Sequence, residues 1–283
     1  MMLRHSLLAG GLAALLLAQA AEADARKRTE ATITRTTYGI PHIKAETWAG
    51  VGYGVAYAYA EDNLCLLAEE FATVAGERSR HFGPEAKATL GFDQVDNLSS
   101  DVFFRAVIDV AALRESAKTL TPRARDLMAG YVAGYNRFLK DAGPDGIPAE
   151  CRGKAWVRPI TDDDMLRLNE KQMLLASSLA LAPAIANAAP PGAPARKAAL
   201  GSTGTLPDPK ELGMGSNGWA FGSDVTADGR GMVIGNPHFP WKGPNRFWQM
   251  HIDGPKGYDV MGVGLAGTPM VTLGFNKDVA WTH

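Results

Sequence analysis

Residues 183–215 read PAIANAAPPGAPARKAALGSTGTLPDPKELGMG. Proline, alanine and glycine recur there without helical or strand periodicity, so the stretch offers no face for a core. A structureless stretch of this length inside a compact domain needs a reason. It also divides the chain into two grammars. Before it, apolar residues recur at helical spacing; after it, they alternate. A helix-rich part followed by a strand-rich part predicts an α+β fold, with helices packed on an antiparallel sheet. The stretch between them reads as a linker or an excisable spacer.

The first part carries clear element signals. Residues 31–47 (ATITRTTYGIPHIKAET) predict two short strands around a bend. Residues 47–83 are Ala-rich and mostly helical, with Thr47 as a cap candidate and Gly83-Pro84 as the stop. Gly50, Gly52, Gly54, Ala56, Ala58 and Ala60 permit close packing against a sheet. A helix is expected over about 102–119. The next, 122–143, has Thr121 before it, Pro122 at its first position and Gly143 at its end. Leu127, Tyr131, Tyr135 and Leu139 form its apolar stripe. A further helix starts at 161, where Asp162, Asp163 and Asp164 suit a positive helix N-terminus and call for no metal. Beyond the spacer, strands are expected at 216–224, 231–237, 246–252, 257–263, 269–275 and 278–282.

The N-terminus has the grammar of a secretory signal. Arg4 precedes the apolar run 7–18, and small residues at Ala18, Ala20, Ala21 and Ala23 follow. Residues 1–23 are therefore expected to be removed, leaving a periplasmic or secreted protein; the alternative is an uncleaved anchor. The formal net charge is −1, which gives no basis for electrostatic capture of nucleic acid or an anionic membrane. Cys65 and Cys151 are the two cysteines. In an exported protein such a pair points to a disulfide, with two buried free thiols as the alternative. The last residues, DVAWTH, carry a strand signal, and the chain is expected to be a fragment whose sheet partners are missing.

Two motif matches fail on context. Gly213 to Gly218 satisfies G-x-G-x-x-G, but no strand precedes it and no helix follows. The hydrolase elbow G-x-S-x-G would need glycine at 214, where Met214 stands. No Walker loop, H-E-x-x-H or zinc spacing occurs. His42, His81, His251 and His283 read as surface or packing residues. What remains is Ser216, at the head of a strand directly after the spacer. A turn around Asp228-Gly229 would bring residues about 238–241 across from it, His238 among them. If the backbone is cut at Gly215–Ser216, one residue carries both a hydroxyl and a free amine. That pairing supplies a nucleophile with its own base, since an α-amine titrates near ~8. A neighbouring histidine can orient water or shuttle a proton. The plain alternative is an ordinary hairpin.

The spacer followed by Gly215-Ser216-Asn217-Gly218-Trp219-Ala220 resembles the maturation junction of the penicillin acylase family of N-terminal nucleophile hydrolases. The segments 35-RTTYGIPHIKA-45, 52-GYGVAYAYAEDNL-64 and 76-GERSRHFG-83 resemble the opening of that family's α-subunit. The segments 234-IGNPHFPW-241 and 274-GFNKDVAWTH-283 resemble its early β-subunit. Cys65, the segment 151-CRGKAWVRPI-160 and His238 point to the branch of acyl-homoserine-lactone and aculeacin-type acylases.

The resemblance implies an αββα sandwich, here incomplete, with a helical α-subunit over 24–185, a spacer over 186–215 and the start of a β-subunit over 216–283. It implies self-cleavage before Ser216, an αβ heterodimer with the remainder of the β-subunit, and amide hydrolysis of N-acylated small molecules. Ser216 would be the nucleophile and His238 a neighbour of the reacting groups. The family's oxyanion donors lie beyond 283, so this chain alone is expected to be inactive. Calcium occurs in some members, but no residue here is assigned to it, and no other cofactor is implied. An apolar acyl pocket is expected where helices meet sheet, lined from 53–74 and 169–182. The rival readings are a non-catalytic exported binding module and, behind it, an exported peptidase.

Overall fold

The computed structural model describes residues 29–90, 93–175, 177–186, 188–191 and 215–283. The signal segment 1–23 and most of the spacer lie outside the described residues.

Strands β1 (Thr32–Arg35) and β2 (Pro41–Lys44) flank a turn that Gly39 closes at φ +79°, as the pattern around Gly39-Ile40-Pro41 predicts. Helix α1 (Trp48–Val74) follows, its first turn capped by Thr47, whose Oγ1 accepts the Gly50 N–H at 2.9 Å. The expected helix to residue 83 is interrupted. Gly76 turns the chain at φ +65°, and a short α2 (Arg78–Phe82) follows. A hairpin of β3 (Lys87–Leu90) and β4 (Asp93–Asp96) comes next, in a stretch with no assigned element from sequence.

The helix expected over 102–119 is two helices. These are α3 (Asn97–Val107), capped by Asp96, and α4 (Val110–Ala117), capped by Asp109 on the N–H groups of Ala111 and Ala112. Helix α5 (Pro122–Gly146) keeps its expected start; Gly143 takes φ +56°, a break in the helical path. Helix α6 (Asp162–Leu174) ends sooner than expected. A 3₁₀ turn (Ser178–Leu181) and α7 (Ala182–Ala186) continue toward the spacer.

After the spacer come β5 (Ser216–Phe221), β6 (Met232–Pro237), β7 (Trp248–Asp253), β8 (Asp259–Gly264), β9 (Leu273–Phe275) and β10 (Ala280–Trp281). All six fall inside or within a residue or two of the expected runs. Their arrangement departs from a single antiparallel sheet in two ways. Strands β1 and β2, from before the spacer, join the main sheet, whose order is β1-β2-β7-β8-β9-β10. The joint between β2 and β7 is parallel, with His42 opposite His251, whereas the other pairs are antiparallel. Among the described residues, strands β5 and β6 pair only with each other and form a separate ribbon.

The core lies between α1, α5 and the main sheet, around Val55, Tyr59, Leu64, Phe71, Tyr131, Tyr135, Met250 and Ile252. The small residues of α1 serve α5 as well as the sheet. A methyl group added at Gly52 would overlap the Leu127 carbonyl, and one at Gly130 or Gly134 would overlap the carbonyl of Ala49 or Tyr53. Gly54 does face β2, against Ile43. An exposed helix gains about 0.5–1 kcal/mol when glycine becomes alanine. Here the backbones would have to part. We expect Gly130→Ala to destabilise by roughly 2 kcal/mol or more, read from the urea midpoint.

The start of α6 is built as the sequence requires. Thr161 and Asp164 form a reciprocal capping box, and Arg158 donates to both Asp164 carboxylate oxygens, at 3.0 and 2.8 Å. Burial pushes the Asp164 carboxyl up, but Arg158 and Thr161 outweigh it and hold it below the usual carboxylate range. The folded pKa is depressed, so this stabilisation is complete above the unfolded value near ~3.9 and fades as pH falls through the folded one. Asp164→Ala should cost roughly 2 kcal/mol at neutral pH. That difference should shrink in denaturation curves recorded toward pH 2.

Candidate active site around Ser216

The ribbon of β5 and β6 positions the site. Ser216 is paired with Pro237, Asn217 with Asn236, and Gly218 with Gly235. The reversal lies where expected: Gly229 sits at φ +69° and its N–H returns to the Thr226 carbonyl at 3.3 Å. The register therefore places His238 one residue past the partner of Ser216, opposite Gly215. Its backbone N–H donates to the Gly215 carbonyl oxygen at 3.1 Å. The Ser216 hydroxyl donates to the same oxygen at 2.7 Å. Two donors thus converge on the carbonyl of the Gly215–Ser216 bond.

The His238 ring is oriented by two asparagines that the sequence reading did not single out. The side-chain amides of Asn217 and Asn236 meet Nε2 at 3.1 and 3.2 Å. An Nε2 that accepts from both leaves the proton on Nδ1, the ring nitrogen that faces Gly215. The available signal was an asparagine on each strand at matching distance from the turn, in S-N-G and G-N-P-H.

Behind these polar groups lies an apolar cavity of about 480 Å³, within the range of small-molecule sites. Gly215, Ser216 and His238 border it, and Leu175, Phe239, Phe247, Leu265 and Leu273 supply apolar walls. The Phe239 and Phe247 rings stack at 4.6 Å, tilted by 29°. His283 also lines it. The expected lining was wrong in part. Among the described residues of 169–182 only Leu175 contributes, and no residue of 53–74 does, because α1 is spent against α5 and the main sheet. A second cleft of about 290 Å³, between α4, α5 and α6, is lined by Met128, Met165 and Leu166 with Arg125 and Asp162, and has no serine, threonine or cysteine among its lining residues.

The other histidines are less scattered than their sequence positions imply. His42 and His251 meet at 2.8 Å between their Nδ1 atoms, and His251 Nε2 lies 2.7 Å from Asp259. Parallel pairing of β2 with β7 brings them together, a contact no local pattern announces. For calcium the acidic run is a poor fit. Asp163 is engaged by Arg114 and Asp164 by Arg158 and Thr161, so two of the three carboxylates already have partners. Among the described residues, no group of three or more His, Cys, Asp or Glu is arranged to hold a metal. No described helix is long and apolar enough to cross a membrane. Cys65 and Cys151 are joined, with Cα atoms 5.6 Å apart, as the exported-protein reading expected.

A serine hydroxyl against the carbonyl of the preceding peptide bond, a backbone N–H on the same oxygen and an adjoining apolar cavity are parts that acyl transfer uses. The penicillin amidase family profile matches residues 30–283, and the chain belongs to that family. It is 43% identical over 279 residues to the acyl-homoserine lactone acylase PvdQ of Pseudomonas fluorescens, covering 96% of this chain and 35% of that relative. It is 39% identical over 267 residues to the aculeacin-A acylase of Actinoplanes utahensis, covering 89% of this chain and 33% of that relative. The chain thus spans about a third of the length of these relatives. A solved penicillin G acylase from Alcaligenes faecalis overlays with a TM-score of 0.44 at 24% identity, over 53% of this chain and 74% of that one.

Proposed function

We propose that this chain carries the nucleophile of an exported, self-processing acylase that hydrolyses the amide bond of N-acylated small molecules. Long-chain N-acyl-homoserine lactones lead as substrates, with lipopeptide and β-lactam amides behind. The observation that carries the reading is the Gly215–Ser216 junction at the mouth of the apolar cavity. The similarity to acyl-homoserine lactone and aculeacin-A acylases supports it. So does the apolar character of the walls, which suits a hydrocarbon chain.

The same geometry serves two reactions in turn. In maturation the Ser216 Oγ attacks the Gly215 carbonyl carbon. Its proton passes to the departing nitrogen, the C–N bond breaks, and an ester forms that water then hydrolyses. The His238 N–H already points at the oxygen that would take the negative charge. The free α-amine of Ser216 is then the base for substrate hydrolysis, taking the hydroxyl proton directly or through water. The substrate's acyl chain occupies the cavity while its carbonyl lies over Oγ. An acyl-enzyme forms, the amine leaves, and water releases the acid. His238, fixed by Asn217 and Asn236, orients the water or the serine amine. The αββα arrangement and pairing of two processed chains belong to this proposal.

Intact mass and N-terminal sequencing of the complete, exported gene product test it. A chain beginning Ser-Asn-Gly-Trp, together with release of free homoserine lactone from its dodecanoyl amide, is the expected result. A folded, uncut and inactive protein would favour a binding module instead.

A further inference from the structure

Helix α1 does not touch the cavity, yet it holds one of the cavity walls in place. At Asn63 the helix departs from helical geometry, with φ −143° and ψ 32°. The Asn63 side chain is thereby turned to Arg246, whose guanidinium donates to its Oδ1. One residue earlier, the Asp62 carboxylate accepts the Trp248 indole N–H at 2.8 Å. Asp62 is itself fixed by Arg35, which also binds Glu61 and the Ala58 carbonyl. The Trp248 ring packs edge-on against Tyr59 at 5.1 Å. The residues on both sides of Phe247 are therefore bound to α1. Phe247 lies between them, just before β7 begins. It enters the cavity wall and stacks on Phe239.

We propose that Asn63 and Asp62 are positioning residues that set the depth of the acyl cavity through Phe247, and so select acyl-chain length without contacting substrate. This rests on reading the cavity as an acyl site. The kink is the cause: without it, Asn63 would stay in register along the helix and Arg246 would lose its acceptor. A free Arg246–Trp248 segment lets Phe247 swing, and the end of a long chain loses a defined wall.

The test uses the complete, processed protein with hexanoyl- and dodecanoyl-homoserine lactone, and calorimetric binding of dodecanoic acid as a readout independent of turnover. Asn63→Ala should raise KM for the dodecanoyl substrate roughly tenfold, leaving kcat and the hexanoyl KM within about twofold. Asn63→Asp keeps an acceptor and should restore the wild-type preference. Trp248→Phe removes the indole donor and trims the ring while keeping an aromatic against Tyr59, and should shift selectivity the same way, by about threefold; it carries the test if Asn63→Ala does not fold. Changes equal for both chain lengths, or no change in Trp248→Phe, overturn the proposal. If the wild type cleaves neither lactone but binds dodecanoate with an affinity that Asn63→Ala weakens and Asn63→Asp restores, the acylase reading falls and the positioning role stands. A wild type that neither cleaves nor binds the long chain removes both.

Discussion

Ser216→Ala is expected to leave a single uncut chain and to lower amide hydrolysis by roughly 10⁴-fold or more. The expected effect is double because, in the proposed mechanism, the hydroxyl acts twice. It would first attack the Gly215 carbonyl, whose oxygen it reaches at 2.7 Å, and later the substrate. The alanine chain loses the nucleophile and, being uncut, never exposes the α-amine. The ribbon itself should survive, since β5 and β6 are held by backbone pairing from Ser216–Pro237 to Phe221–Met232. Circular dichroism unchanged from the wild type, with one mass peak instead of two, is the signature. Ser216→Cys keeps a nucleophile at the same place and should still be cut, more slowly. An alanine variant that splits at this bond would show that another protein does the cutting.

Removing the Cys65–Cys151 bridge should cost about 3–5 kcal/mol, the second-largest effect. The two cysteines are 86 residues apart, and the bridge ties the middle of α1 to the turn that follows α5. Closing a loop of that size removes much of the unfolded chain's freedom. The residue left by reduction is also buried at Cys151, within the core. A Cys65→Ala, Cys151→Ala variant should show a lower urea midpoint, and the wild type should fall to match it when a reductant is added. If the denatured wild type takes up a thiol alkylator without prior reduction, the thiols are free in solution.

Elements with several periods of signal were legible in the sequence. The stripe Leu127, Tyr131, Tyr135 named the buried face of α5, and Thr47, Thr121 and the acidic start of α6 announced their caps. What failed was short or non-local. The β3–β4 hairpin has four-residue strands carrying Lys87, Asp93 and Asp96, too few alternations to register. Asp109 is a cap signal in mid-pattern, and overlooking it merged α3 with α4. The candidate nucleophile was legible because the spacer isolates it. Its surroundings were only half so: His238 was placed to within one residue by turn geometry and Leu175 lies in an expected lining range, while Phe247 enters the cavity through tertiary folding that spacing does not encode. Whether small residues serve a sheet or a helix is equally unreadable locally, and in α1 they serve both.

The parallel joint of β2 with β7 stitches the stretch before the spacer to the stretch after it within one sheet. The disulfide, by contrast, lies wholly on one side of the spacer. A chain cut at Gly215–Ser216 would therefore fold as one molecule but come apart as two. Its refolding would depend on concentration, although its original folding did not. Maturation of this kind works as a ratchet: once the peptide is cut, lifetime is governed by the barrier to opening that seam rather than by a reversible equilibrium.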